Sequence, residues 1–224
     1  MLPWTVLDTA PLPDGSGTLR LKQRGSEFSI MLGSNELMNS RLSGSEEALA
    51  GLVCERLAGR TRPTLLIGGL GMGFTLRAAL AALREDAAVE VAELMPPVAD
   101  WARGAMAPVF AGCLDDPRVT MSIADVAAVI GNGGGRYDAI LLDVDNGPEG
   151  LTVASNDRLY GATGLAAAKA ALRPGGVLAV WSSGPDHGFT RRLKAAGFGT
   201  EELSVRASRT GRGARHVIWL ATKR

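Results

Sequence analysis

The feature that most limits how this chain can fold begins at residue 64. From there, short apolar runs alternate with longer amphipathic ones: TLLIGG, MGFTLRAALAALRE, VEVAEL, PPVADWARGAM, RVTMSI, ADVAAVIGN, YDAILLDV, GATGLAAAKAALR and VLAVWSS. Short runs rich in Val, Ile and Leu read as buried strands, and the longer ones between them as helices. Strict alternation predicts a parallel sheet covered by helices on both faces, with right-handed crossovers. Pro96 and Pro97 open one helix, where a missing N–H costs nothing. Pro174-Gly175-Gly176 is expected to close another. FTRRLKAAGF extends the series as a helix, and EELSVRAS and HVIWLAT form a terminal strand pair. The loop RTGRGAR between them is too short for a crossover helix, so one of the two must run antiparallel.

Upstream the period changes. TLRLKQ and EFSIML (18–23 and 27–32) alternate apolar and polar residues, with Asp14-Gly15 and Arg24-Gly25 as turn signals. Residues 44–58 return to a helical period: Leu49, Leu52, Val53 and Leu57 share a face, and Ser45 is the expected N-cap. Thr61-Arg62-Pro63 ends that helix. The expected division is a β-strand segment with a linking helix over 1–60 and a doubly wound α/β domain over 61–224.

Charge and cysteine content exclude several classes. Lys and Arg total 24 against 23 Asp and Glu, a net charge of +1, which makes no electrostatic case for nucleic acid or an anionic membrane surface. Arg206, Arg209, Arg212 and Arg215 read as a solvated hairpin loop. Cys54, Cys113, His187 and His216 are the only residues of their types, and no zinc-type spacing can be written from them, so no metal is expected. The N-terminus carries no basic leader followed by an apolar run, and no uninterrupted apolar stretch is long enough to span a bilayer. These readings predict a cytoplasmic protein.

In such a sheet, ligands bind beyond the carboxyl ends of the strands. Four strand ends carry suggestive residues. In LLIGGLGMGF, Gly69, Gly71 and Gly73 alternate between a strand and a helix, where a ligand can approach bare backbone and unpaired N–H groups. The dinucleotide pattern fails here, because Phe74 or Leu76 occupies the position of its last glycine. GxGxG is instead the form found in S-adenosylmethionine (AdoMet) folds. Glu93 closes the second strand, at the place of an acid that takes ribose hydroxyls or of a surface acid near a helix start. Asp125 follows the third strand, to meet an adenine amino group or to cap the next helix. Asp143 ends the fourth. Together they predict an adenosyl-type nucleotide site. Asp145 either shares a face with Asp143 or forms a turn with Asn146 ahead of Gly147-Pro148.

With these residues in view, the chain resembles the spermidine synthase (aminopropyltransferase) family of the class I AdoMet-dependent transferases. The resemblance covers nearly the whole length: the β-rich N-terminal piece, IGGLGMG, VEVAE, an Asp-terminated strand with a Pro-containing loop after it, and LYGATGLAAAKAALRPGG. It implies a class I methyltransferase-like, Rossmann-like sheet with an N-terminal β-rich extension. It also implies a homodimer, and a gate loop through Asn146, Gly147, Pro148 and Glu149. Asp143 falls on the acid that acts on the attacking amine, Glu46 lies near an acceptor-site acid, and Tyr160 either roofs the site, as that family's gate-side residues do, or packs the following helix. Arg41, where the N-terminal piece meets the core, is a candidate for an anionic acceptor. The chain departs from the family where GGGDGG has an acid and Gly71 stands here, where DSSDP has its second acid and Asn146 stands, and where Tyr-His-Glu is replaced by Leu49, Ala50 and Gly51. With no acid at 71, no like charge opposes the carboxylate of intact AdoMet. The expected activity is therefore methyl transfer from AdoMet to a small-molecule acceptor. Aminopropyl transfer from decarboxylated S-adenosylmethionine is the first alternative, and a non-catalytic nucleotide-binding or interaction protein the second.

Overall fold

A computed structural model describes residues 2–13, 15–144, 147–148, 159–208, 210 and 213–224. The chain opens with an antiparallel meander of β1 (Thr5–Pro11), β2 (Thr18–Arg24), β3 (Glu27–Leu32) and β4 (Asn35–Asn39). Its inner face comes from alternate residues, Leu19 and Leu21 on β2 facing Phe28 and Ile30 on β3, all buried. That face needs cover, since four short strands enclose no core of their own. Helix α1 (Gly44–Arg56) then leads into the main sheet.

The main sheet has seven strands. In chain order they are β5 (Thr64–Gly68), β6 (Ala88–Glu93), β7 (Val119–Ile123), β8 (Tyr137–Leu142), β9 (Leu172–Ser182), β10 (Phe198–Arg206) and β11 (Arg215–Lys223). Between them run α2 (Phe74–Ala82), α3 (Pro96–Arg103), α4 (Ala107–Phe110), α5 (Val126–Gly131), α6 (Ala162–Ala171) and α7 (His187–Ala195). The spatial order is β10-β11-β9-β8-β5-β6-β7, with β5 to β9 parallel and β11 antiparallel to both of its neighbours. This is the doubly wound, mostly parallel Rossmann-like sheet expected from the alternation, with one strand of the terminal pair, β11, reversed as the short loop requires. Strand order turns back between β5 and β8, so the crevice at their carboxyl ends is where a ligand fits.

Each central strand divides its residues between two apolar layers. Leu65 and Ile67 of β5 join Leu49 and Val53 of α1 and Leu76 of α2, in a cluster that continues into the N-terminal sheet. Leu66 joins Ile140, Leu165, Phe189 and Trp219 on the opposite face. One unexpected polar group is buried at the far end of the sheet. Asp138 accepts from Arg60 at 2.6 Å, Arg173 at 2.6 Å and the Thr64 N–H at 2.8 Å. This pairing accounts for a departure from expectation. Pro174-Gly175-Gly176 does not simply close a helix but lies within β9, where the register jumps from Tyr137↔Leu172 to Ala139↔Val177. Arg173 and Pro174, both tied to the Asp138–Arg60 cluster, hold the chain in the sheet there.

No helix among the described residues is long and apolar enough to cross a membrane, and no group of metal-ligating side chains occurs among them.

Candidate active site

A cavity opens at the carboxyl ends of β5, β6 and β8. The glycine loop, Glu93, Asp125 and Asp143 form its floor, and the N-terminal sheet stands over it through Leu12, Leu19, Leu37 and Met38. Gly69 and Gly71 line it directly. Gly69 is left-handed, with φ +89°, and a Cβ there would lie 2.4 Å from the Asp143 carbonyl oxygen, so only glycine allows β5 and β8 to meet this closely. The Asp143 N–H donates to the Gly68 carbonyl at 3.0 Å on the same seam. Gly73, also left-handed at φ +74°, caps α2 and would drive a Cβ into the Phe110 ring at 2.5 Å. It shapes the helix start and does not itself line the cavity. Across the loop, the position of a Cβ on Gly71 lies 3.4 Å from Met38 Sδ.

Glu93 braces this loop. Its Oε2 accepts the Leu70 N–H at 2.9 Å and its Oε1 the Met95 N–H at 2.8 Å. Burial still raises its pKa above the usual carboxylate range, against those backbone donors. Each carboxylate oxygen has a further lone pair, so a hydroxyl can be accepted without releasing the loop. Glu93→Ala is expected to weaken methylthioadenosine binding by roughly 1–3 kcal/mol, the scale of a lost hydrogen bond to a charge. Calorimetry checks this. Unchanged affinity would leave Glu93 as a loop brace alone.

Asp125 lines the cavity and also caps α5, accepting the Ala127 N–H at 2.8 Å. The cap bond engages only Oδ1, so capping does not exclude a ligand-facing role for the other carboxylate oxygen.

Asp143 and Glu46 both line the cavity, close enough for the charge of one to act on the other. Thr75, one residue into α2, donates to Asp143 Oδ2 at 2.6 Å. Asp143 keeps some surface open to the cavity. Desolvation by its apolar surroundings, reinforced by the Glu46 charge, pushes its pKa up to about 7, with the Thr75 bond opposing. Glu46 is raised too, first by burial. Two acids so placed hold a proton near neutral pH, the property wanted in a general base.

Other expected residues lie elsewhere. Ser45 does not cap α1: the capping position is Ser43, without a side-chain bond. Ser45 is fully buried, and its hydroxyl donates to Glu46 at 2.7 Å. Arg41 is drawn to Glu36 at 2.9 Å and lies beside the Trp4 ring, away from the cavity lining. Tyr160 is buried in the opposite layer, edge-on to Phe189 at 5.5 Å. Asp145, and Asn146 and Glu149 of the expected gate loop, fall outside the described residues. Trp181 at the end of β9, to which the sequence assigned no role, forms part of the cavity wall. Its buried indole N–H has no partner among the described residues.

This geometry now stands beside known proteins. No protein-family model matches the chain. It is 33% identical over 164 residues to the polyamine aminopropyltransferase of Corynebacterium efficiens, matching 72% of this chain and 30% of that one. Over 127 residues it is 34% identical to the polyamine aminopropyltransferase of Nitrosomonas europaea, matching 57% of this chain and 37% of the relative. The chain belongs to the spermidine synthase-like family. It matches only about a third of the length of these curated relatives. The spermidine synthase of Thermotoga maritima superposes with a TM-score of 0.77 over 98% of this chain and 73% of its own, at 20% identity. A spermidine synthase in complex with the transition-state analogue AdoDATO gives 0.75 over 98% and 72%, at 19% identity. The shared fold is that of the spermidine synthases.

These relatives overturn the expectation of methyl transfer, because they are named for aminopropyl transfer. The physical reason lies in what position 71 can decide. An acid there would affect how the donor is held, and its absence removes one contact. Which carbon leaves sulfur is set by where the acceptor nitrogen stands relative to the sulfonium, and Gly71 has no part in that.

Proposed function

We propose that this family member transfers an aminopropyl group from decarboxylated S-adenosylmethionine to the nitrogen of a small amine. The observation that carries the reading is Asp143, an acid with a pKa near 7 at the switch point of the sheet, in one cavity with the glycine loop and Glu46. In the proposed site the nucleoside lies along Gly69 and Gly71, with Glu93 toward the ribose and Asp125 toward the adenine. The amine stands between Asp143 and Glu46. Its carbon chain suits the apolar wall of Leu12, Leu19, Leu37 and Met38, and its attacking nitrogen must be neutral. Asp143 in its ionised form takes the proton that makes it so. Attack forms a C–N bond, the C–S bond breaks, and its electron pair stays on sulfur, leaving methylthioadenosine.

Incubation with decarboxylated S-adenosylmethionine and a panel of mono- and diamines is expected to release methylthioadenosine, read by chromatography. Tight donor binding with no methylthioadenosine from any amine would reject the reading. Free thiols at Cys54 and Cys113 suit the proposed cytoplasmic setting.

A homodimer is part of the same proposal. Strand β1 is an edge of the N-terminal sheet, and Val6 and Leu7 are exposed on it, an arrangement that calls for cover. The strand is held in place by Asp8, which accepts the Trp101 indole N–H at 2.6 Å. Light scattering should report a dimer at micromolar concentration and a monomer for Val6→Lys combined with Leu7→Lys. A wild-type monomer at high micromolar concentration would rule the dimer out.

A further inference from the structure

A side chain outside the cavity is connected to its reacting end. His216, on β11, places Nδ1 2.9 Å from the Ser45 hydroxyl, which in turn lies 2.7 Å from Glu46 Oε2. Ser45 is fully buried, whereas His216 keeps part of its surface exposed. The imidazole meets the Trp181 ring edge-on, 4.8 Å between centroids at 81°, which fixes its plane. Glu46 acts electrostatically on Asp143. A line of hydrogen bonds therefore leads from Glu46, which shares the cavity with Asp143, toward the surface, through groups that can each give and take a proton.

We propose that Glu46, Ser45 and His216 form a proton-exit relay that carries the acceptor's proton from the cavity to water. The proposal rests on the aminopropyl-transfer reading, whose reaction releases one proton per turnover. With Glu46 ionised, Ser45 donates to Oε2 and accepts the Nδ1–H of His216. When Glu46 takes the proton from the Asp143 pair, the line reverses. Glu46 then donates to Ser45, and Ser45 donates to Nδ1 of the Nε2–H tautomer. Two hops along these bonds give ionised Glu46, an intact Ser45 hydroxyl and an imidazolium, which loses its Nε2 proton to water. Exchange between the tautomers resets the line, and no electron is gained or lost.

The groups facing His216 suit this role. From α1 they are Ser45 and, through it, Glu46; from β9, the uncharged Trp181; from β10, the uncharged Val205 paired with it in register. Burial lowers the proton affinity of the imidazole, so it is neutral and receptive at physiological pH.

His216→Gln keeps an N–H for Ser45 but cannot carry a proton. Turnover is expected to fall by about tenfold or more, a part of the general acid–base contribution. Donor and acceptor KM should not change, and added imidazole should restore part of the rate. Unchanged turnover, or a loss that imidazole cannot restore, overturns the relay. A second measurement does not depend on catalysis. With only His187 and His216 in the chain, nitrogen-15 NMR can follow each ring. Glu46→Gln should move the His216 titration to lower pH, because a nearby negative charge is lost, and leave His187 in place. An unmoved His216 titration refutes the connection. A moved titration in a protein that transfers nothing would instead reject the aminopropyl reading and leave the hydrogen-bonded line standing.

Discussion

Asp143→Asn is expected to lower turnover by at least about 10²-fold, the scale of a lost general base, while methylthioadenosine binds nearly as before. The pH profile should change with it. In the wild type the carboxylate is the active form and its pKa is near 7, so kcat/KM should fall as pH drops through 7. The variant should lose that step. The same acid has a stability signature of the opposite sense. Its folded pKa lies above the usual 3.8, so the native state binds its proton more tightly than the unfolded chain does. Stability from this group is therefore greatest below pH 4 and declines as pH rises toward 7. Asparagine removes the buried charge, and the variant should be more stable than wild type at pH 8 by about 1–4 kcal/mol, the upper end being the full conversion of the pKa difference. The gain should shrink toward pH 4. Denaturant titrations at both pH values check the sign. Normal turnover in the variant, or lower stability at pH 8, would make Asp143 a structural acid.

Gly69→Ala should do comparable damage by a different route. The backbone at φ +89° is costly for any residue with a Cβ, and that Cβ would meet a carbonyl oxygen at 2.4 Å. The obstacle is the backbone of β8's end and not a side chain that can swing aside, so the loop or Asp143 must move. A loss of about 2–4 kcal/mol in stability is expected from strain and displaced packing together. Methylthioadenosine affinity should fall at least tenfold, about 1.4 kcal/mol, since the strand seam that shapes the site would open. Gly71→Ala provides the contrast. Gly71 is left-handed too, at φ +50°, so alanine is strained there as well, but its added Cβ would meet only the Met38 side chain, at 3.4 Å, and no backbone, so it should bind methylthioadenosine more tightly than Gly69→Ala does. Equal affinities for the two would show that the seam at Gly69 does not control the site.

The alternation of strands and helices from residue 64 was enough to determine the doubly wound sheet, because each buried strand and each amphipathic helix announces itself locally through its period. The glycine string and the acids at successive strand ends were likewise legible, since a parallel sheet sends every such end to the same edge. That is why Gly69, Gly71, Glu93, Asp125 and Asp143 line one cavity. What sequence could not determine were the contacts made across long separations. Thr75 reaches Asp143 from 68 residues away, and His216 reaches Ser45 from 171. Asp138 holds two arginines, one 78 residues back and the other 35 ahead. None of these leaves a periodic trace. Ser45 looked like a cap because capping is a local habit of serine, yet packing of α1 against the sheet turned its hydroxyl inward. Tyr160 looked available because nothing near it in sequence claims it, and the Phe189 layer does so in space, whereas Arg41 is taken by Glu36, only five residues back. Local periodicity set the architecture. The partners of the buried polar groups, and with them the proton affinities in the cavity, were decided only when distant strands and helices came together and excluded water.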